Sequence, residues 1–295
     1  MRELLIKTAR FFKYTALSLV FPVIYTAVSF FVSVVVGTVL VFQDMFGGLS
    51  PEALQDYDVS SLNQPEVSQR AMEMISQNSD VILIFSGVVM LLILLAVFRS
   101  RGGTLSEQIK MSPLSTGPAL ASVLCGVSFY FFIVTLMSVL ISALPSVTEM
   151  HTEYSEISAP MFSGNMILII IAFVIMAPLI EEILFRGLAY SSLKKGMPVW
   201  AAVVMQSAVF ALVHANPFQI LYVLMLAPVL ALIYEWTESL YAPVLAHMSF
   251  NAVGVVMSAL SEEARAHAFL GFALIPVSFI TLSYFYRMNK KSGKR

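Results

Sequence analysis

Long apolar runs broken by short polar segments set the pattern of this chain. Eight runs of about 15 to 26 residues stand out, at 17–42, 81–98, 119–144, 166–190, 199–213, 220–234, 241–260 and 268–286. A helix needs ~20 apolar residues to cross the hydrocarbon of a bilayer. The runs lack the alternating period of a half-buried strand, so they predict helices. The fifth and sixth are short and meet at Asn216-Pro217, which suits one tight helical hairpin. The first run is longer than the ~7–15 residue core of a signal peptide and is read as a retained helix. The expected fold is therefore an all-α polytopic membrane protein of about eight transmembrane helices.

Composition agrees with this reading. Of 295 residues, 58% are hydrophobic and 12% charged, against ~25% charged in soluble domains. The single cysteine, Cys125, sits in an apolar run and cannot form an intrachain disulfide. Net charge is -1, so the total says nothing about partners; no nucleic-acid partner is expected. The distribution of charge is more informative. Fifteen of the seventeen basic residues fall on one side of the predicted spans, and only Arg70 and Arg265 on the other. Cytoplasmic loops collect Lys and Arg, so both termini are expected in the cytoplasm, in a prokaryotic cell membrane. The polar segment 44–80 is then external. Within it, Ser50-Pro51-Glu52 and Asn63-Gln64-Pro65-Glu66 mark helix starts, and Val67, Ala71, Met74 and Ile75 share one face.

Charge inside an apolar helix asks for a function. Glu181, Glu182 and Arg186 end a run that is uncharged from Met166 to Ile180. An acid at the centre of a membrane helix costs roughly 2.5–3.5 kcal/mol, and such residues face protein interior or a wet cavity. Glu182 and Arg186 stand four residues apart on one helix face, with Glu181 turned about 100° away. Phe210 and His214 share the same spacing, as do His247 and Asn251. His151 and His267 are expected in solvated external loops. At 1.5 Å per residue, the depths of Glu181, His214 and His247 agree only to within about two turns, and a kink at Pro178 or Pro243 would close the difference.

A carboxylate beside an imidazole, where water is scarce, can hold and deprotonate one water. A second histidine and an amide can stabilise an oxyanion. Glu181, His214 and His247 could instead ligate Zn2+ and activate water on the metal. No His-Glu-x-x-His, Gly-x-Ser-x-Gly, Gly-x-Ser-Gly or Gly-x-Gly-Asp string occurs in the chain.

Three strings in order, Glu181-Glu182-x-x-x-Arg186, Phe210-x-x-x-His214 and His247-x-x-x-Asn251, resemble the motifs of the CPBP intramembrane proteases. This family, also called Abi, includes type II CaaX prenyl endopeptidases and bacteriocin-processing or immunity proteins. The resemblance covers 166–251 and, by helix arrangement, 119–286. It divides the chain into an N-terminal helical hairpin with its external loop (1–110) and a protease core (111–295). It implies that Glu181 activates water with help from His214, that Glu182 and Arg186 hold the helix end, and that His247 and Asn251 stabilise the oxyanion. The family is labelled metalloprotease, yet a metal-free glutamate mechanism has been argued for it. Cofactors are thus either none or Zn2+. The expected partners are membrane lipids and a membrane-bound peptide or lipoprotein substrate. Two other readings compete: a non-catalytic scaffold or bacteriocin self-immunity protein, and a proton-coupled carrier. A carrier is disfavoured because no repeat is visible and the polar residues crowd into the second half.

Overall fold

The computed structural model describes residues 2–47, 65–100, 102, 104–261 and 269–291. No strand occurs among them. The helices are α1 (Arg2–Phe46), α2 (Pro65–Gln77), α3 (Ser79–Ser100), α4 (Leu105–Gln108), α5 (Thr116–Ala143), α6 (Pro145–Ser158), α7 (Met166–Leu193), α8 (Val199–Leu212), α9 (Pro217–Thr237), α10 (Tyr241–Ala259) and α11 (Ile275–Lys291). The chain is an all-α polytopic membrane protein. Among the described residues six helices, the long ones from α1 to α10 except α8, are long and apolar enough to cross a membrane. Two predicted spans fall outside that set. The fifth corresponds to α8, with 14 residues, and the eighth to α11, with 17. Large apolar side chains such as Phe30, Phe31, Ile167 and Trp200 face outward, as lipid-facing positions do.

Two apolar cores share α9 and α10. The first gathers Met90, Leu94, Ile180, Leu184, Phe185, Phe210 and Ala227, with Phe21, Ile24 and Tyr25 of α1 packed against it. The second gathers Cys125, Phe129, Leu230, Ala246, Phe250 and Phe285. The N-terminal helices α1 and α3 therefore pack on the same core as α7 to α10.

Small residues let helix backbones approach closely, and van der Waals packing then holds them together where lipid gives no hydrophobic drive. A Cβ at Gly126 of α5 would lie 2.0 Å from the Ala246 carbonyl oxygen of α10. A Cβ at Gly187 of α7 would lie 2.7 Å from the buried Ile109 side chain. Ile109 and its neighbours also tie down the α9–α10 turn: Tyr234 Oη donates to the Ile109 carbonyl at 3.2 Å, and the Leu240 amide to that of Lys110 at 3.0 Å.

The helix predicted at Pro65 forms and packs on α1, with Ile75 lying over Gly37. Arg70 and Asp44 pair there at 2.7 Å. The expected start at Ser50-Pro51 and the loop histidine His267 lie outside the described residues. The other loop histidine needs correction. His151 lies on helix α6 and packs edge-on against Phe218 at 5.0 Å. Val147, Met150, His151, Tyr154, Ser155 and Ser158 make the inner face of this helix, a period of 3.6 that gives α6 its seat on the bundle.

Candidate active site

α7 carries the acidic pair and is not a plain α-helix. Asn165 caps it, its Oδ1 accepting from the Ile167 amide at 2.9 Å. Two stretches, Ile170–Met176 and Ile183–Tyr190, take the wider π turn, with Ala177–Glu182 between them. Pro178 lies in that middle segment and has no N–H to offer the ladder. Its neighbour Ala177 donates five residues back, to Ala172. Such wide turns are uncommon and frequent at functional sites. Here they flank the two glutamates.

Glu182 and Arg186 form a wholly buried ion pair. Glu182 Oε1 accepts from Arg186 Nη1 at 2.8 Å, and neither side chain reaches solvent. Arg186 Nη2 donates to the Ala227 carbonyl of α9 at 3.1 Å, and the guanidinium lies 4.5 Å over the Phe210 ring of α8. One arginine thus joins α7, α8 and α9. Isolated ions would be costly at this depth, so each contact offsets the desolvation of both.

The same Oε1 lies 2.8 Å from Nδ1 of His247. A carboxylate only accepts, so the Nδ1–H of His247 donates to it. This fixes the imidazole and turns Nε2 toward Glu181, whose Oε2 is 3.7 Å away. That separation exceeds a direct hydrogen bond. The two adjacent carboxylates therefore differ: the Glu182 side chain is 0% exposed and that of Glu181 is 19% exposed. Only Glu181 can meet water.

His214 closes α8. Its Nδ1 lies 2.8 Å from the Phe210 carbonyl oxygen, which can only accept. Nδ1 is thus the protonated nitrogen, and Nε2 of the neutral ring keeps its lone pair. Ala215, the next residue, has φ 60°, a left-handed conformation that costs a non-glycine residue about 1–2 kcal/mol. Asn216 then starts α9, its Oδ1 accepting from the Gln219 amide at 3.1 Å with Pro217 following. The Phe210 ring stands edge-on to His214 at 5.1 Å and to His247 at 6.2 Å. It is a wedge between both histidines and under Arg186.

Of the six residues expected at the site, Glu181, Glu182, Arg186 and His247 touch as one cluster, and His214 joins it through Phe210. Among the described residues, His214 makes no hydrogen bond to either glutamate. Asn251 turns elsewhere: its Nδ2 donates to the Phe173 carbonyl of α7 at 2.8 Å. Two further residues were not foreseen. Tyr25 of α1 and Tyr222 of α9 lie within electrostatic reach of Glu181, and the Tyr222 hydroxyl meets that of Tyr154 on α6 at 3.3 Å. Nothing in an apolar run marks one tyrosine over another.

Zinc does not fit this arrangement well. Among the described residues no three His, Cys, Asp or Glu side chains come together closely enough to hold a metal ion. The nitrogen that His247 turns to Glu182 faces an oxygen already held by Arg186.

Residues 163–253 match the family model described as Type II CAAX prenyl endopeptidase Rce1-like. The match spans less than a third of the chain and is the likeness that the three motifs carry. It contains all six expected site residues. The chain is also 30% identical over 90 residues to the "Putative membrane peptidase YdiL" of Bacillus subtilis (strain 168), a stretch covering 30% of this chain and 37% of that relative. No solved structure matches. Tyr25 and Tyr154 lie outside the matched segment.

Proposed function

We propose that this protein is an intramembrane endopeptidase that hydrolyses membrane-anchored peptides with a glutamate-activated water. The observation that carries the reading is the division of labour between two adjacent carboxylates. Glu182 is buried and committed to Arg186 and His247, while Glu181 is partly exposed and faces the free nitrogen of His247 at 3.7 Å. A structural ion pair requires Glu182 and Arg186 alone; it gives no reason for Glu181 and His214.

Glu181 takes a proton from water as the water oxygen attacks the carbonyl carbon of the scissile bond. The lone pair at His214 Nε2 is a second acceptor that holds the water in line. The carbonyl oxygen becomes an oxyanion. Nε2 of His247 faces this oxyanion and, in the imidazolium form, donates to it while Nδ1–H stays on Glu182. Glu181 then passes its proton to the leaving nitrogen, the C–N bond breaks, and a carboxylic acid and an amine form, the acid giving up its proton to solvent as the products depart. The substrate is a peptide held at the membrane by a lipid or an apolar helix, because the site lies within the bundle. The spans would leave both termini in the cytoplasm, as the basic residues indicate.

The purified protein, with Glu181→Ala and His214→Ala, is assayed on a fluorogenic lipidated peptide with and without a zinc chelator. Cleavage lost in both variants and indifferent to chelator supports the reading. Loss with chelator and recovery with Zn2+ would make it a metalloenzyme. Equal cleavage by all three proteins would overturn the proposed site.

A further inference from the structure

We infer that Asn251 is a positioning residue: its amide stands in for the N–H that Pro178 removes from α7, and so holds the wide turn that presents Glu181 and Glu182. The activity arm of this inference rests on the peptidase reading, whereas its structural arm does not.

The argument is a count of donors. In an α-helix the Phe173 carbonyl would accept from the Ala177 amide, but that amide is given to Ala172, five residues back. In a continued π turn the carbonyl would accept from residue 178, which is proline and has no N–H. Both donors that the helix would offer are therefore spent or missing. A carbonyl left unpaired inside a membrane bundle costs several kcal/mol. Asn251 Nδ2 supplies the bond at 2.8 Å, from the neighbouring helix. It lies one turn beyond His247 on α10, so one helix face fixes α7 twice, at the Phe173 carbonyl and at Glu182. These two points bracket Glu181. Loss of either would let the glutamate turn away from His247.

The test is a rescue. Pro178→Ala restores an N–H at position 178, five residues beyond the Phe173 carbonyl, and so removes the need for Asn251. Asn251→Ala, Pro178→Ala and the double variant are compared by peptide cleavage and by thermal unfolding in detergent. Asn251→Asp serves as a variant of unchanged size that cannot donate while it is ionised. Asn251→Ala and Asn251→Asp are expected to unfold several degrees lower and to lose at least about tenfold in cleavage, because small displacements of catalytic groups are expensive. The double variant is expected to match Pro178→Ala in both. If Asn251→Ala keeps its unfolding temperature and the double variant is as inactive as the single, the amide acts on the substrate and the inference is wrong. Should the parent cleave no test peptide, the peptidase reading fails on that count, and the unfolding temperatures alone still decide the inference: coupling between positions 178 and 251 supports it, and additivity overturns it.

Discussion

Oε1 of Glu182 lies 2.8 Å from Nδ1 of His247. The same oxygen holds Arg186 at 2.8 Å, so a single buried atom fixes both the tautomer of the imidazole and the position of the cation. Removing Glu182 by mutation to Ala leaves Arg186 buried without its counter-ion. Breaking one side of such a pair costs about 3–5 kcal/mol. Glu182→Ala and Arg186→Ala should each lower the unfolding temperature sharply and abolish cleavage. The pair replaced together by Gln and Met should recover most of the stability and none of the activity. Thermal unfolding of the four proteins in one detergent checks this.

Glu181 behaves differently because it is partly exposed and its contact with His247, at 3.7 Å, is longer than a direct hydrogen bond. Glu181→Gln keeps its shape and removes its base. Cleavage is expected to fall by about 10²–10⁴-fold, the usual range for a lost general base, while the unfolding temperature stays close to the parent. A stability loss comparable to Glu182→Ala would mean that Glu181 is structural.

Ala215 occupies a left-handed conformation directly after His214. Glycine adopts that conformation without strain. Ala215→Gly should stabilise the fold by up to ~1 kcal/mol, read as a higher unfolding midpoint. A destabilised variant would show that the turn is held by the Ala215 methyl group.

Gly126 faces the backbone of Ala246 with no room for a Cβ. Because the obstruction is backbone, it cannot rotate away. Gly126→Leu should separate α5 from α10 and cost several times the ~1–3 kcal/mol typical of an overpacked core. An unfolding temperature within a degree or two of the parent would contradict the close approach.

Much of this architecture is legible in the sequence. Apolar runs locate the helices, and the spacing from Glu182 to Arg186 states their pairing before any coordinates. That His247 bonds to Glu182 itself is not written in the spacing, which places the histidine and the acids only in one shared polar site. Three features were hidden, each for a physical reason. Which face of one helix meets another depends on packing that periodicity does not encode, so Phe210 appears in the sequence only as a spacing partner of His214, not as the wedge under Arg186. The π turns of α7 arise from where each amide finds its carbonyl, and Pro178 hints at a break without giving its register. That same register explains why the amide of Asn251, four residues from His247, is spent on Phe173. His151 looked solvated because its neighbours are acidic, yet those acids line the outer face of α6 while His151 packs inward on Phe218.

The measurement that bears most directly on the central claim is cleavage of a lipidated peptide in ¹⁸O-labelled water, read by mass spectrometry, for the parent and for Glu181→Gln. The account predicts one labelled oxygen in the new carboxylate from the parent and no product from the variant over the same time. Labelled product at the parental rate from Glu181→Gln would contradict it.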